Sequence, residues 1–239
     1  MIDAIRPFNE NTILIEWKGE IGEAVLHEIL SFQDWVESLE IKGVLETWIA
    51  YRSLAIHYQP ERINTKELIE IVQEYNAGSQ VLRSFKKWIL PVCYESKCAP
   101  DLSYLSQELG HTEDKIISLH TSKKYLVHFI GFLPGFMYLS GLDERIHFPR
   151  KENPKQVIPK GAVGIGGFQT GIYPTQSPGG WNIIGNCPLT FFDLRSDKPC
   201  FIQPGDTVEF NSISSIKYES IKVEMEAGVY DLNNLLADG

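Results

Sequence analysis

The sequence predicts two folded parts of different class: an α+β N-terminal domain over 1–84 and a mainly β domain over 85–225, with a C-terminal tail at 226–239. Three observations carry this. Before about residue 85, apolar residues switch between strand-like and helix-like spacing. Downstream, 9 of 13 prolines and 12 of 19 glycines fall between Gly131 and Gly205, a density that long helices do not tolerate. A polar joint, Ala77 to Ser84, separates the two regimes.

Asp3 to Pro7 reads as a first strand and Thr12 to Trp17, rich in β-branched residues, as a second. Ile21, Val25, Ile29, Phe32, Val36 and Leu39 recur every three or four residues, the spacing of one helix face. Val44 to Ala50 and Ser53 to Tyr58 are close enough to form a hairpin. Leu68, Ile69, Val72 and Tyr75 mark a second helix that ends near Asn76-Ala77-Gly78. Together they make a small α+β unit of ferredoxin-like type. Beyond the joint, Lys87 to Tyr94 reads as a strand, and Leu102, Leu105 and Leu109 share a helix face. Thr112 caps a further helix carrying Ile116, Ile117 and Leu119. From Tyr125 on, short strands broken by Gly and Pro predict a β-barrel or sandwich. Ile221 to Gly239 is expected to hold one last strand and a frayed helix.

Composition bounds the function. The chain has 239 residues, 43% hydrophobic and 22% charged, which is ordinary for a folded protein. Its net charge of −9 is the wrong sign for neutralising phosphates, so no nucleic-acid partner is expected. The opening MIDAIRPFNEN has no basic region followed by an apolar core, which points to the cytoplasm. Tyr125 to Leu142 is 18 residues long and uncharged, but Gly131, Pro134, Gly135 and Gly141 argue against a membrane helix. Cys93, Cys98, Cys187 and Cys200 form no CxxC, so they read as reduced thiols and no metal site is expected.

Several signatures are missing: there is no GxxxxGK[ST], no GxSxG and no HExxH. Gly161 to Gly167 is glycine-rich but follows Pro159 and opens no helix, so a dinucleotide fold is not indicated. What stands out is Gly161 to Phe192, 32 residues without a charge that include Gln169, Thr170, Tyr173, Ser177 and Trp181. Uncharged polar groups among glycines suit a small ligand, with Pro178-Gly179-Gly180-Trp181 setting an aromatic wall on a turn. The same glycines serve equally as barrel corners, with Trp181 in the core. Arg150, just before this stretch, has a guanidinium suited to a carboxylate or phosphate. His120 and His128 flank a strand start, where an imidazole either moves protons near neutral pH or is a structural group. Asp206 in Pro204-Gly205-Asp206 reads as a turn residue.

Taken together, Gly131-Phe132-Leu133-Pro134-Gly135-Phe136-Met137-Tyr138-Leu139, Pro149-Arg150, Pro159 to Ile165, Gln169 to Pro174, Ser177 to Trp181 and Pro204-Gly205-Asp206 resemble the allophanate hydrolase subunit 1 (KipI) family. The resemblance is dense from Lys87 to about Phe210 and looser before it. It implies a cyclophilin-like barrel and a role as one subunit of an ATP-dependent 5-oxoprolinase, working with subunits A and C and with ATP and Mg bound by the assembly. The alternative that it implies is a binding module inhibiting a sensor histidine kinase. On the first reading Arg150, Tyr173 and His128 are the candidate catalytic residues, and Gln169, Thr170, Ser177, Gly179, Gly180 and Trp181 the substrate-binding ones. Two positions depart from the family pattern. Asn186-Cys187 stand where many members have a basic and a hydroxyl residue, and Lys155 is the basic residue near Pro154.

Overall fold

A computed structural model describes residues 1–76 and 83–237. They fall into two compact units, Met1–Ser84 and Phe85–Gly239. Most of the expected polar joint, 77–82, lies outside the described residues.

In the first unit the chain runs through β1 (Ile2–Asn9), β2 (Thr12–Trp17), α1 (Glu23–Ser38), β3 (Val44–Ile49), β4 (Ser53–Tyr58) and α2 (Thr65–Gln73). The strands form one antiparallel sheet of order β1-β2-β4-β3. Ile13, Ile15 and Trp17 of β2 and Leu54, Ile56 and Tyr58 of β4 alternate onto one face, where Val25, Ile29, Phe32 and Val36 of α1 and Leu68 and Val72 of α2 bury against them. Moving the last strand of the ferredoxin-like succession βαββαβ to the front gives this element order. The second helix starts earlier than its apolar residues indicate, because the Asn64 side chain accepts the Glu67 N–H at 3.0 Å and fixes the first turn. It ends at Gln73, before Asn76. Ala77 and Gly78 lie outside the described residues.

The second unit contains β5 (Lys87–Cys93), α3 (Leu102–Leu109), α4 (Glu113–Thr121), β6 (Tyr125–Ile130), β7 (Met137–Ser140), β8 (Lys155–Ile158), β9 (Ala162–Gly166), β10 (Gln169–Ile172), β11 (Ser177–Gly179), β12 (Asn182–Asn186), β13 (Thr207–Ile213) and α5 (Ser215–Glu226). Seven strands close into a barrel of order β10-β7-β6-β13-β5-β12-β9. Only β13 and β5 pair parallel among these strands. β8 and β11 make a separate two-stranded ribbon. Leu90, Tyr125, Val127, Leu139, Val163, Ile165, Ile172 and Phe210 fill the core. The uncharged run from Tyr125 becomes β6, a Gly-Pro turn and β7. No helix among the described residues is long and apolar enough to cross a membrane.

The C-terminal expectation is corrected. Ile221 and Val223 are two apart, a strand-like spacing, yet Ile221 is buried and Val223 is 62% exposed. Opposed faces at that interval are a helix property. Ser214 caps this helix, α5, by accepting the Lys217 N–H. The residues beyond α5 form no free tail either: Leu235 is buried, Leu236 bridges to Trp88, and the Ala237 N–H bonds the Lys87 carbonyl.

Candidate functional site

The ladder between β9 and β12 organises the site. Asn182 lies opposite Ile165 and Asn186 opposite Ala162, with a bulge between Ile183 and Gly185, so the two ends of the ladder are about 10 to 13 Å apart at the strand rise. At the first end, Asn182 Nδ2 donates to the Pro149 carbonyl at 2.9 Å and the Ile165 carbonyl at 3.3 Å. This fixes the chain just before Arg150. The Arg150 guanidinium carbon sits 5.7 Å from the Trp181 ring centroid, and Nη2 reaches Gln169 Oε1 at 3.5 Å. The Trp181 backbone N–H bonds the Tyr173 phenol oxygen. Burial raises the Tyr173 pKa, against the pull of that bond and of the nearby Arg150 charge. The phenol therefore keeps its proton at neutral pH. Arg150, Gln169, Tyr173 and Trp181 thus come together, although 31 residues separate the first from the last.

The glycines around them have a different reason from close ligand approach. A Cβ on Gly166 would lie 2.4 Å from the Trp181 ring, one on Gly164 3.1 Å from Trp181 Cβ, and one on Gly171 3.2 Å from the ring edge. They leave the space that the indole fills. Trp181 is 5% exposed and packs with Phe136, Tyr173 and Ile183 in a small cluster of its own. It is a packed group with one face to Arg150. Gly179 is likewise a packing residue, since a Cβ there would fall 2.4 Å from the Tyr173 hydroxyl. Gly180 has room, its nearest neighbours being 3.5 Å or more from a built Cβ. Ser177 is nearly buried on β11 and its hydroxyl donates to the Pro178 carbonyl.

Two candidates fall elsewhere. Thr170 is fully buried with its hydroxyl donating to the Gly164 carbonyl at 3.0 Å. That leaves its oxygen to accept from His120 Nε2 at 2.8 Å, and His120 Nδ1 to accept from the Tyr94 hydroxyl at 2.7 Å. Thr170 is therefore one link of a polar string inside the barrel, capped by His120 stacking on Phe210 at 4.5 Å. His128, at a bulge in β6, is also fully buried and bonds Ser140 Oγ at 2.8 Å. Burial lowers the pKa of His120 to about 3 and of His128 to about 4. Both rings are neutral at physiological pH and neither reaches solvent, so the catalytic role expected of His128 is not supported by its placement. Asp206 exceeds its turn role, accepting the N–H groups of Lys86, Gln203 and the Trp88 indole.

One cluster had no signal in the sequence. The carboxylate of Asp101 accepts from the Ile183 N–H at 2.8 Å, from Lys151 at 3.1 Å and from Lys155 at 3.0 Å. Burial alone would raise its pKa, but these bonds more than offset that and lower it. The partners stand 50 and more residues away in the chain, beyond any local spacing rule. Lys155 is consequently paired within the chain, with part of its side chain still exposed.

The profile of the carboxyltransferase domain, subdomain C and D, matches residues 4–202. The chain belongs to this family. It is 32% identical over 238 residues to the 5-oxoprolinase B subunit of Bacillus subtilis (strain 168), covering 92% of this chain and 97% of that one. It is 42% identical over 145 residues to the 5-oxoprolinase B subunit of Escherichia coli O157:H7, covering 60% and 66%. The crystal structure of TTHA0988 superposes with a TM-score of 0.76 at 27% identity, over 89% of this chain but 40% of that longer one. The family resemblance carried by the Gly131–Asp206 motifs is therefore borne out.

Proposed function

We propose that this chain is the B-type subunit of a cytoplasmic 5-oxoprolinase that opens 5-oxo-L-proline to L-glutamate at the expense of ATP, together with A-type and C-type subunits. The observation that carries the reading is the end-to-end similarity to the Bacillus B-type subunit. The same reading takes the barrel as cyclophilin-like.

The chemistry makes defined demands. A lactam carbonyl is a poor electrophile, and phosphorylating its oxygen creates a leaving group, so ATP enters as a co-substrate with its magnesium on the phosphates. The substrate also carries a carboxylate. Arg150 makes no ion pair among the described residues, stands exposed over Trp181, and is the cation offered to that carboxylate. Tyr173, protonated at neutral pH, supplies a hydroxyl donor for developing negative charge on the lactam oxygen. Gln169 orients Arg150, and Gly180 leaves space beside it.

The test is reconstitution. The purified chain alone is expected to show no 5-oxoproline-dependent ATP hydrolysis and to support it once A-type and C-type subunits are added. Arg150→Ala in the complex should cost about 2 to 4 kcal/mol of transition-state stabilisation, the scale of losing one preorganised group. Turnover by the chain alone, or full activity of both Arg150→Ala and Tyr173→Phe, overturns the assignment.

A further inference from the structure

At the opposite end of the β9–β12 ladder lies a cleft of about 570 Å³ between the barrel mouth and α5, within the size range of small-ligand sites. Its floor is tied down. Asn186 Nδ2 donates to the Lys160 carbonyl at 3.1 Å while its Oδ1 accepts from the Tyr218 hydroxyl at 2.9 Å. Gly161, at φ +80°, is held so close that a Cβ would meet the Cys187 carbonyl at 2.2 Å, so only glycine fits. The rim is cationic in a chain of net charge −9. Lys160, Arg195 and Lys222 line it against Asp193 and Glu226.

The charges differ in availability. Arg195 is already engaged by Asp193 through two parallel bonds of 2.9 and 2.8 Å, so the planar fork that best fits a carboxylate is occupied. Lys160 bonds the Thr190 hydroxyl at 2.8 Å and its charge is felt by Asp193, but neither it nor the exposed Lys222 comes within ion-pair distance of a carboxylate among the described residues. Tyr218 and Lys222 are four apart on α5 and so share a face. Two ammonium groups lining one cleft suit a tetrahedral oxyanion, for which lysine acts as a point charge, while the Tyr218 hydroxyl spends its proton on Asn186 and only shapes the wall. Phe192, Leu189 and Met225 provide apolar wall beside it.

We propose that this cleft binds a small phosphorylated molecule, its phosphoryl group on Lys160 and Lys222 and its organic part against Phe192. This goes beyond the proposed reaction, and its test reads binding to the chain alone, so either can fail while the other stands. The probes are inorganic phosphate and AMP, titrated calorimetrically at low salt, with L-glutamate as the carboxylate comparison. AMP is expected to bind saturably, phosphate to compete with it, and L-glutamate to bind more weakly than either. Lys160→Gln with Lys222→Gln should weaken AMP by at least about tenfold, as loss of charged hydrogen bonds does. Lys222→Gln alone, which removes no side-chain hydrogen bond or ion pair among the described residues, should weaken it in the same direction, and Lys66→Gln in the N-terminal unit should leave it unchanged. Absence of saturable binding in the millimolar range, equal affinity in the variants with unchanged melting temperature, or preference for L-glutamate overturns the proposal.

Discussion

Gly166→Ala separates packing from ligand approach as the reason for the glycine-rich strand. The new Cβ would sit 2.4 Å from two atoms of the Trp181 indole and 2.8 Å from a third, against about 3.5 to 4.0 Å for ordinary carbon contacts. The ring must retreat by about 1 Å, but Phe136 and Tyr173 stand edge-on at centroid distances of 5.6 and 6.3 Å and leave little freedom. Overpacking of this kind costs about 1 to 3 kcal/mol. Loss of unfolded-chain entropy returns about 0.4 to 1 kcal/mol. The net expectation is a melting temperature lower by about 2 to 8 °C, read by calorimetry. Gly180→Ala, with neighbours at 3.5 Å or beyond, should be neutral or slightly stabilising. Trp181→Phe, which shortens the ring, should relieve part of the Gly166→Ala penalty in the double variant. A Gly166→Ala protein as stable as its parent, with no coupling to Trp181→Phe, would refute the packing account.

Stability should fall as pH drops from about 6.5 towards 4, by about 1.4 kcal/mol per pH unit for each buried histidine. The unfolded chain takes up protons there that His120 and His128, with pKa values lowered by burial to about 3 and 4, refuse. Asp101, whose pKa is also lowered on balance, adds stability that is lost as pH falls through the carboxylate range. Urea titrations across this window check it, and a flat profile contradicts it. Tyr94→Phe removes the donor to His120 Nδ1 and should cost about 1 to 3 kcal/mol in urea unfolding; a loss below a few tenths would mean that the string inside the barrel contributes little. Limited proteolysis should cut between Ala77 and Ser84 and leave a stable fragment from near Ser84 onward, and degradation without such a fragment counts against two independent domains.

Much of the fold was legible because it rests on local rules. β2, β4 and the helix over Leu102–Leu109 follow from apolar spacing, and Thr112 and its helix from a cap whose hydroxyl accepts the Lys115 N–H. The C-terminal helix is not evident in the sequence because Ile221 and Val223, two apart, have strand spacing, and only burial shows that they face opposite ways. The site was half legible. The stretch free of charge from Gly161 to Phe192 marked the region, and Gln169, Tyr173 and Trp181 within it do meet Arg150. What composition could not give was direction. Thr170 and Gln169 are neighbours in the chain, and alternation along β10 sends the first to the barrel interior and the second to Arg150. The indole, not a ligand, explains the glycines, because their demand comes from a ring that returns 15 residues after Gly166.

The charges left unpaired narrow the candidate sites by subtraction. Around the β9–β12 ladder Asp101 holds both Lys151 and Lys155, and Asp193 holds Arg195. Three of the basic residues that crowd this region are thereby neutralised, and surface position alone would not have told them from the others. Arg150 at one end and Lys160 with Lys222 at the other make no ion pair among the described residues, although the Lys160 charge is felt by Asp193. Those ends are separated by about 10 to 13 Å of bulged strand, whereas atoms about to react must approach to about 3 to 3.5 Å. On the proposed readings, a phosphoryl group seated on Lys160 and Lys222 and a lactam seated at Arg150 occupy two separate places on the barrel. If the proposed lactam opening takes place here, its phosphoryl donor is expected to face Arg150 and Tyr173 from a partner subunit, and reconstitution with A-type and C-type subunits tests that expectation.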